Sequence, residues 1–133
     1  MWRTRIGRQL ARRRRTAGFT LIELLVVLSI IATLTALVAP GYLKQADRAK
    51  ETVLRHNLNT LRESIDDFRA DRGQDPESLE GLVEQRYLRE LPLDPVTGKR
   101  DSWVALTGDG PGVHDVRSGA KGSALDGSAY DTW

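Results

Sequence analysis

Cysteine is absent from the 133 residues, so no disulfide can staple a fold in an oxidising compartment. Histidine is nearly absent: His56 and His114 have no His or Cys companion at ligand spacing, and both read as structural or surface residues. No serine has a nearby His–Asp pattern, and no glycine-rich phosphate loop precedes a helix, so no catalytic site is read and an enzyme is not expected. Aromatic residues are few, and Trp103 and Trp133 read as core and tail anchors rather than as platforms for stacked bases. The length leaves room for one membrane helix and one small domain, not for two cores. Acidic residues are missing from the first 22 positions.

What stands in that acid-free stretch is basic. Seven arginines occupy positions 3, 5, 8 and 12 to 15, followed by Gly18-Phe19-Thr20-Leu21-Ile22-Glu23 and an apolar run to Ala39. About twenty such residues span a bilayer core as a helix at ~1.5 Å per residue. Basic residues on the N-terminal side keep that side cytoplasmic. The arginines are therefore a topology signal rather than a nucleic-acid patch. Removing residues 1–18 takes away seven of the 20 basic residues and none of the 18 acidic ones, leaving 13 against 18, a formal −5. Glu23 alone interrupts the run. An ionisable group inside a spanning helix costs roughly 2.5–3.5 kcal/mol on insertion scales and is kept where it has a partner. An ordinary secretory signal needs a small-x-small cleavage site, and Leu37-Val38-Ala39 is a poor one. A twin-arginine signal could use Arg12 to Arg15, but its apolar region would be shorter and free of Glu23. A plain signal anchor leaves Gly18 and Glu23 without a purpose.

Gly18, the Phe19–Glu23 segment and the unbroken run to Pro40 together resemble the N-terminal signal of type IV pilins and type II secretion pseudopilins. The resemblance implies that a prepilin peptidase cuts after Gly18 and methylates the new amine of Phe19. It also places Glu23 at the assembly glutamate. The chemistry agrees with this: a carboxylate in a first helical turn is favoured by the macrodipole, and it can neutralise the amine of Phe19 on an adjacent subunit.

The chain divides as follows: 1–18, a cleaved leader; 19–39, a transmembrane and assembly helix; 40–72, an amphipathic continuation; and 73–133, a small head with an irregular C-terminal loop. Pro40 is expected to kink the helix without ending it. Helical periodicity resumes at once: Leu54, Leu58, Leu61, Ile65 and Phe68 form one apolar stripe, which Ala46, Ala49 and Val53 extend backward. Arg48, Lys50, Glu51, Arg55, Arg62, Glu63, Asp66 and Asp67 read as a solvated face. Asp71-Arg72-Gly73 is a stop, so the helix from Phe19 measures ~80 Å. Asp75 reads as an N-cap, with Pro76 opening a short helix through Leu79, Leu82 and Val83. The prolines at 92 and 95 enforce extended or turned backbone. Trp103–Leu106 and Val113–Val116 read as short strands joined by a glycine-rich connection, and the tail from Ser118 has no periodicity. So short a head cannot bury much alone, and its sheet must pack on the Leu54–Phe68 stripe.

The predicted fold class is α+β: a long N-terminal helix, transmembrane in its first half, packed on a small antiparallel sheet head, the pilin-like lollipop. Leu91-Pro92-Leu93-Asp94-Pro95, a turn, a Trp-containing strand and an Asp- and Gly-rich tail ending in Trp133 look like the head of the major, G-type pseudopilins of type II secretion. That resemblance implies calcium in the C-terminal loop. Asp126 and Asp131 are the candidate ligands, beside Ser118 and Asp115, although Lys121 stands where the family pattern usually has an aspartate. The alternative is an Asp/Gly turn that is acidic because it is solvated. The function implied is that of a structural subunit of a periplasmic pseudopilus for protein export. Its partners would be copies of itself, prepilin peptidase, an inner-membrane assembly platform, minor pseudopilins and the inner membrane, with no nucleic acid. Two other readings are a minor pilin of a motility or DNA-uptake system and a signal-anchored periplasmic domain with a binding or enzymatic role.

Overall fold

Side chains spaced four, three, four and three apart share one face of a helix. The computed structural model describes residues 17–133 and places the stripe on α1, a helix running Leu21–Arg72 over 52 residues with Pro40 inside it. The leader arginines lie outside the described residues. The chain forms two units, one ending at Ala39 and the other Pro40–Trp133.

In the first unit, α1 carries the apolar run, and every side chain from Leu21 to Ala39 is exposed. By length and composition this stretch is sufficient to cross a membrane.

In the second unit, α1 buries Leu54, Leu58, Leu61, Ile65 and Phe68. The helix stops where Gly73 takes a left-handed φ of +70°, a conformation cheap only for glycine. A short helix α2, Leu79–Glu84, contributes Leu79 and Leu82. Two strands, β1 (Val104–Leu106) and β2 (Asp115–Arg117), pair antiparallel with Ala105 opposite Val116. Trp103, Val113 and Val116 close the core over the helix stripe. Full burial of each such side chain contributes about 1.5–3 kcal/mol. The expected α+β architecture is the one observed, with the sheet region sharing one core with the stripe.

Four local expectations are corrected. The N-cap of α2 is Ser78, whose Oγ accepts from the Gly81 N–H at 3.1 Å. Asp75 cannot cap because Arg69 and His114 hold its carboxylate. Both strands begin later than the pattern suggests: Trp103 precedes β1, with its indole N–H donating to the Pro92 carbonyl at 2.8 Å. Val113 precedes β2 because its N–H donates to the Pro76 carbonyl at 2.7 Å rather than to a strand partner. The backward extension of the stripe is covered only at Ala46, which is half-buried: Ala49 is exposed and Val53 is 46% exposed.

The solvated face holds at Arg48, Lys50, Glu63, Asp66 and Asp67, which are exposed, whereas Glu51 and Arg62 are half-buried and, with Arg55, reach across to the head. Glu51, Arg55, Arg62 and Arg69 follow one another at spacings of four, seven and seven, and so share a line on α1 beside the apolar stripe. Between them they reach three parts of the head. Arg62 donates through Nε to Asp115 Oδ1 and through Nη2 to the Val116 carbonyl, both at 3.0 Å, tying α1 to β2. Arg69 donates to Asp75 Oδ1 at 2.6 Å. Glu51 and Arg55 reach the C-terminal loop.

Candidate assembly segment and C-terminal loop

Gly18 and Phe19 lie just before α1, outside regular structure, and Phe19 is 84% exposed. Thr20 precedes the first helical residue, and its Oγ1 accepts the N–H of Glu23 at 3.2 Å, satisfying one of the orphan donors of the first turn. Thr20-Leu21-Ile22-Glu23 is thus half of a capping box. The Ser/Thr-x-x-Glu spacing was readable in the sequence, but the motif was read for processing and not for capping. Glu23 sits in the first turn, where the dipole favours its charge. Among the described residues, nothing pairs with its carboxylate.

The three hydroxyls within the apolar run bond back to carbonyls four residues earlier: Ser29 to Leu25 at 2.7 Å, Thr33 to Ser29 at 2.8 Å and Thr35 to Ile31 at 2.7 Å. They therefore present no unsatisfied polar group to an apolar medium. Pro40 supplies no N–H to the Ala36 carbonyl, yet α1 continues through it.

At the other end of the chain, Ser118 and Asp94 are fully buried and joined, the Ser118 hydroxyl donating to Asp94 Oδ2 at 2.7 Å. Asp94 Oδ1 accepts the N–H groups of Val96 at 2.8 Å and Thr97 at 3.2 Å, closing the turn after Pro95. The sequence marked the backbone around Asp94 as extended or turned but gave no sign of a buried lock. Gly119 follows, so close to the Ser102 carbonyl oxygen that a Cβ there would collide with it.

Asp126 and Asp131 are both exposed in the loop beyond, Asp131 on a short 3-10 turn, Tyr130–Thr132. Asp126 Oδ1 is occupied by the Ser128 N–H at 2.9 Å and the Ser128 hydroxyl at 2.6 Å. Those hydrogen bonds, the hydroxyl first, hold the Asp126 carboxyl below the usual carboxylate range. Its other oxygen faces Arg55 at 3.9 Å. Ser118 is turned inward to Asp94, and Asp115 is engaged by Arg62. Calcium asks for six to eight oxygens. Among the described residues, no three His, Cys, Asp or Glu side chains converge. The four side chains the sequence offers for calcium therefore do not form a cage for it by themselves.

A third cluster joins Arg69, Asp75 and His114, with His114 Nδ1 at 3.2 Å from Asp75 Oδ2. The Arg69 hydrogen bond holds the Asp75 carboxyl below its ordinary value and raises Arg69 in turn. It fastens the loop after α1 to the segment before β2, a structural task. His56 is exposed.

A family model described as the prokaryotic N-terminal methylation motif matches residues 13–39. The type II secretion system core protein G of Pseudomonas aeruginosa is 34% identical over 99 residues, covering 62% of this chain and 70% of that protein. The core protein G of Xanthomonas campestris pv. campestris is 30% identical over 125 residues, covering 87% of this chain and 86% of its own length. That of Klebsiella michiganensis is 28% identical over 103 residues, covering 65% and 72%. No solved structure matches the chain at a significant level. Similarity of this extent, running from the methylation signal into the head, places the chain in the type II secretion core protein G family, the G-type pseudopilins.

Proposed function

We propose that this chain is the structural subunit of a periplasmic pseudopilus that drives protein export by type II secretion. Prepilin peptidase removes residues 1–18 and methylates the amine of Phe19. The mature subunit is anchored in the inner membrane by residues 19–39, with its N-terminus cytoplasmic and its head periplasmic. An assembly platform and minor pseudopilins then recruit it into a filament with copies of itself. It carries no catalytic role.

One observation carries this reading. The exposed apolar helix that begins beside Gly18-Phe19 has one carboxylate, Glu23, with no partner among the described residues. Once the run is packed in lipid or in a filament core, an unpaired carboxylate is costly. A free amine at Phe19 of a neighbouring subunit is the complementary charge. The pairing would set the axial step between subunits.

The test has two parts. Mass spectrometry of the exported chain should find a methylated N-terminus at Phe19. Glu23→Ala should be processed and stable yet give no filaments, read as loss of the cross-linked multimer ladder. A mature form that retains its arginines removes the reading, as does a normal ladder from Glu23→Ala.

A further inference from the structure

The C-terminal loop is where the family resemblance and the side chains of this chain part company, and the side chains supply an alternative fastening. Glu51 on α1 points its Oε1 at the loop, accepting the Leu125 N–H at 2.7 Å and the Tyr130 hydroxyl at 3.2 Å. One turn on, the Arg55 guanidinium lies 3.9 Å from the centre of the Trp133 ring. Trp133 is fixed from two other directions: its indole N–H donates to Ser128 Oγ at 2.8 Å, and Tyr130 meets its ring edge-on with centroids 5.3 Å apart. The loop also closes on itself, Ala124 N–H to the Ser128 carbonyl at 2.7 Å and Tyr130 N–H to the Gly122 carbonyl at 3.2 Å. Ala120 and Ala124 are buried beneath it.

We infer that the C-terminal loop is latched to α1 by Glu51 and by the Arg55–Trp133 stack, and that this latch takes the place of a calcium ion. Glu51 supplies the negative charge that gathers the loop's donors, so the loop's N–H and O–H groups converge on a carboxylate rather than its carbonyls on a cation. Arg55 puts a fixed positive charge against Asp126, and Lys121 adds another in the same loop. Both oppose a divalent cation there. Stacking of a guanidinium over an indole is a favourable contact in its own right.

The experiment uses the full chain in detergent, with thermal unfolding followed in excess calcium chloride and in excess chelator. A resident ion at a hundred times its Kd would raise Tm by roughly 10–20 °C. The latch predicts curves that agree to within about 1 °C. The second readout is tryptic cleavage after Lys121, which requires the loop to open. Glu51→Ala should speed that cut roughly tenfold or more, as expected for losing hydrogen bonds to a charged acceptor, and equally with calcium or chelator. Arg55→Ala should speed it in the same sense through loss of the Trp133 stack. A calcium-dependent rise in the wild-type Tm overturns the inference. Rescue of Glu51→Ala by calcium, or cleavage rates unchanged by both substitutions, does so equally.

Discussion

Replacing Asp94 by alanine should be the most damaging single change in the loops of the head, although Asp94 belongs to no helix or strand. Its carboxylate is fully buried and accepts three hydrogen bonds, from Val96 N–H, Thr97 N–H and the Ser118 hydroxyl. Ser118 in turn accepts the Ala120 N–H at 3.1 Å, so one carboxylate orients both the turn after Pro95 and the entry to the C-terminal loop. Alanine removes the acceptor and leaves the donors in place. A buried donor stripped of its partner costs about 1–3 kcal/mol. Three of them, with some relaxation of the exposed turn, give about 3–5 kcal/mol. Against a total stability of roughly 5–15 kcal/mol, that loss removes a large part of the margin.

The conservative variant sharpens the expectation. Asp94→Asn keeps Oδ1 for Val96 and Thr97 but turns an N–H₂ group toward Ser118. The serine oxygen can accept from it while still accepting from Ala120, but the serine proton then loses its acceptor, a cost of about 1–2 kcal/mol. For a domain of this size each kcal/mol moves Tm by about 4–8 °C. Thermal unfolding of the full chain in detergent should therefore fall by at least about 12 °C for Asp94→Ala and by clearly less for Asp94→Asn. A double-mutant cycle with Ser118→Ala should show coupling of about 1–2 kcal/mol, because the two groups share one bond. A loss below about 4 °C for the alanine variant, or an asparagine variant as unstable as the alanine one, refutes the assignment of Asp94 as a lock.

The remaining two expectations concern the same unit. Asp75 has its folded-state pKa depressed, chiefly by the Arg69 hydrogen bond. Its contribution is therefore complete above the unfolded value near 3.9 and disappears as pH falls through the lower folded value. Stability measured between about pH 5 and pH 2 should fall less steeply in Asp75→Asn than in the wild type, and equal slopes would count against the pairing. Gly119→Ala should unseat the entry to the C-terminal loop, because the added Cβ meets the Ser102 carbonyl, a backbone atom with no rotamer to yield. Faster tryptic cleavage after Lys121 reads that out, and wild-type protection would contradict it.

Long-range order separates what was legible in the sequence from what was not. The stripe from Leu54 to Phe68 is a local periodic signal, and so are the stop at Gly73 and the apolar run from Leu21. Each depends on residues within a turn or two, and each stands in the structure as expected. Asp75 failed as a cap for a reason no local window contains: His114, 39 residues away, and Arg69 on α1 compete for its carboxylate. Asp94 lay in a stretch read only as extended or turned, while its buried partner, Ser118, stands 24 residues later. Glu51, Arg55 and Arg62 were visible as spacing, yet charge alone assigned them to solvent, and Arg69, next on the same line, was given no role. Residues beside an apolar stripe have long stems that lie along the core and heads that reach over its rim. Position relative to the stripe was the better guide.

The two units satisfy their polar groups differently, and the difference bears on where a partner is needed. In the head, every buried side-chain nitrogen and oxygen among the described residues has a hydrogen-bond partner, and even the charged line on α1 is answered from within the chain. In the apolar run, Ser29, Thr33 and Thr35 turn their hydroxyls back onto their own helix. Glu23 cannot do the same. Its backbone N–H is taken by Thr20, and a carboxylate has no proton with which to reach a carbonyl of the preceding turn. In water that carboxylate is solvated at little cost, but once the run is surrounded by lipid or by other helices it needs a cation. Within residues 19–39 of a single subunit, the one group able to become a cation is the amine that cleavage before Phe19 would create. That amine would lie just before the first turn, at the end of the helix where the dipole already disfavours positive charge. In the filament proposed above, a neighbouring subunit displaced along the axis would bring its own amine to Glu23, coupling removal of the leader to assembly through one ion pair.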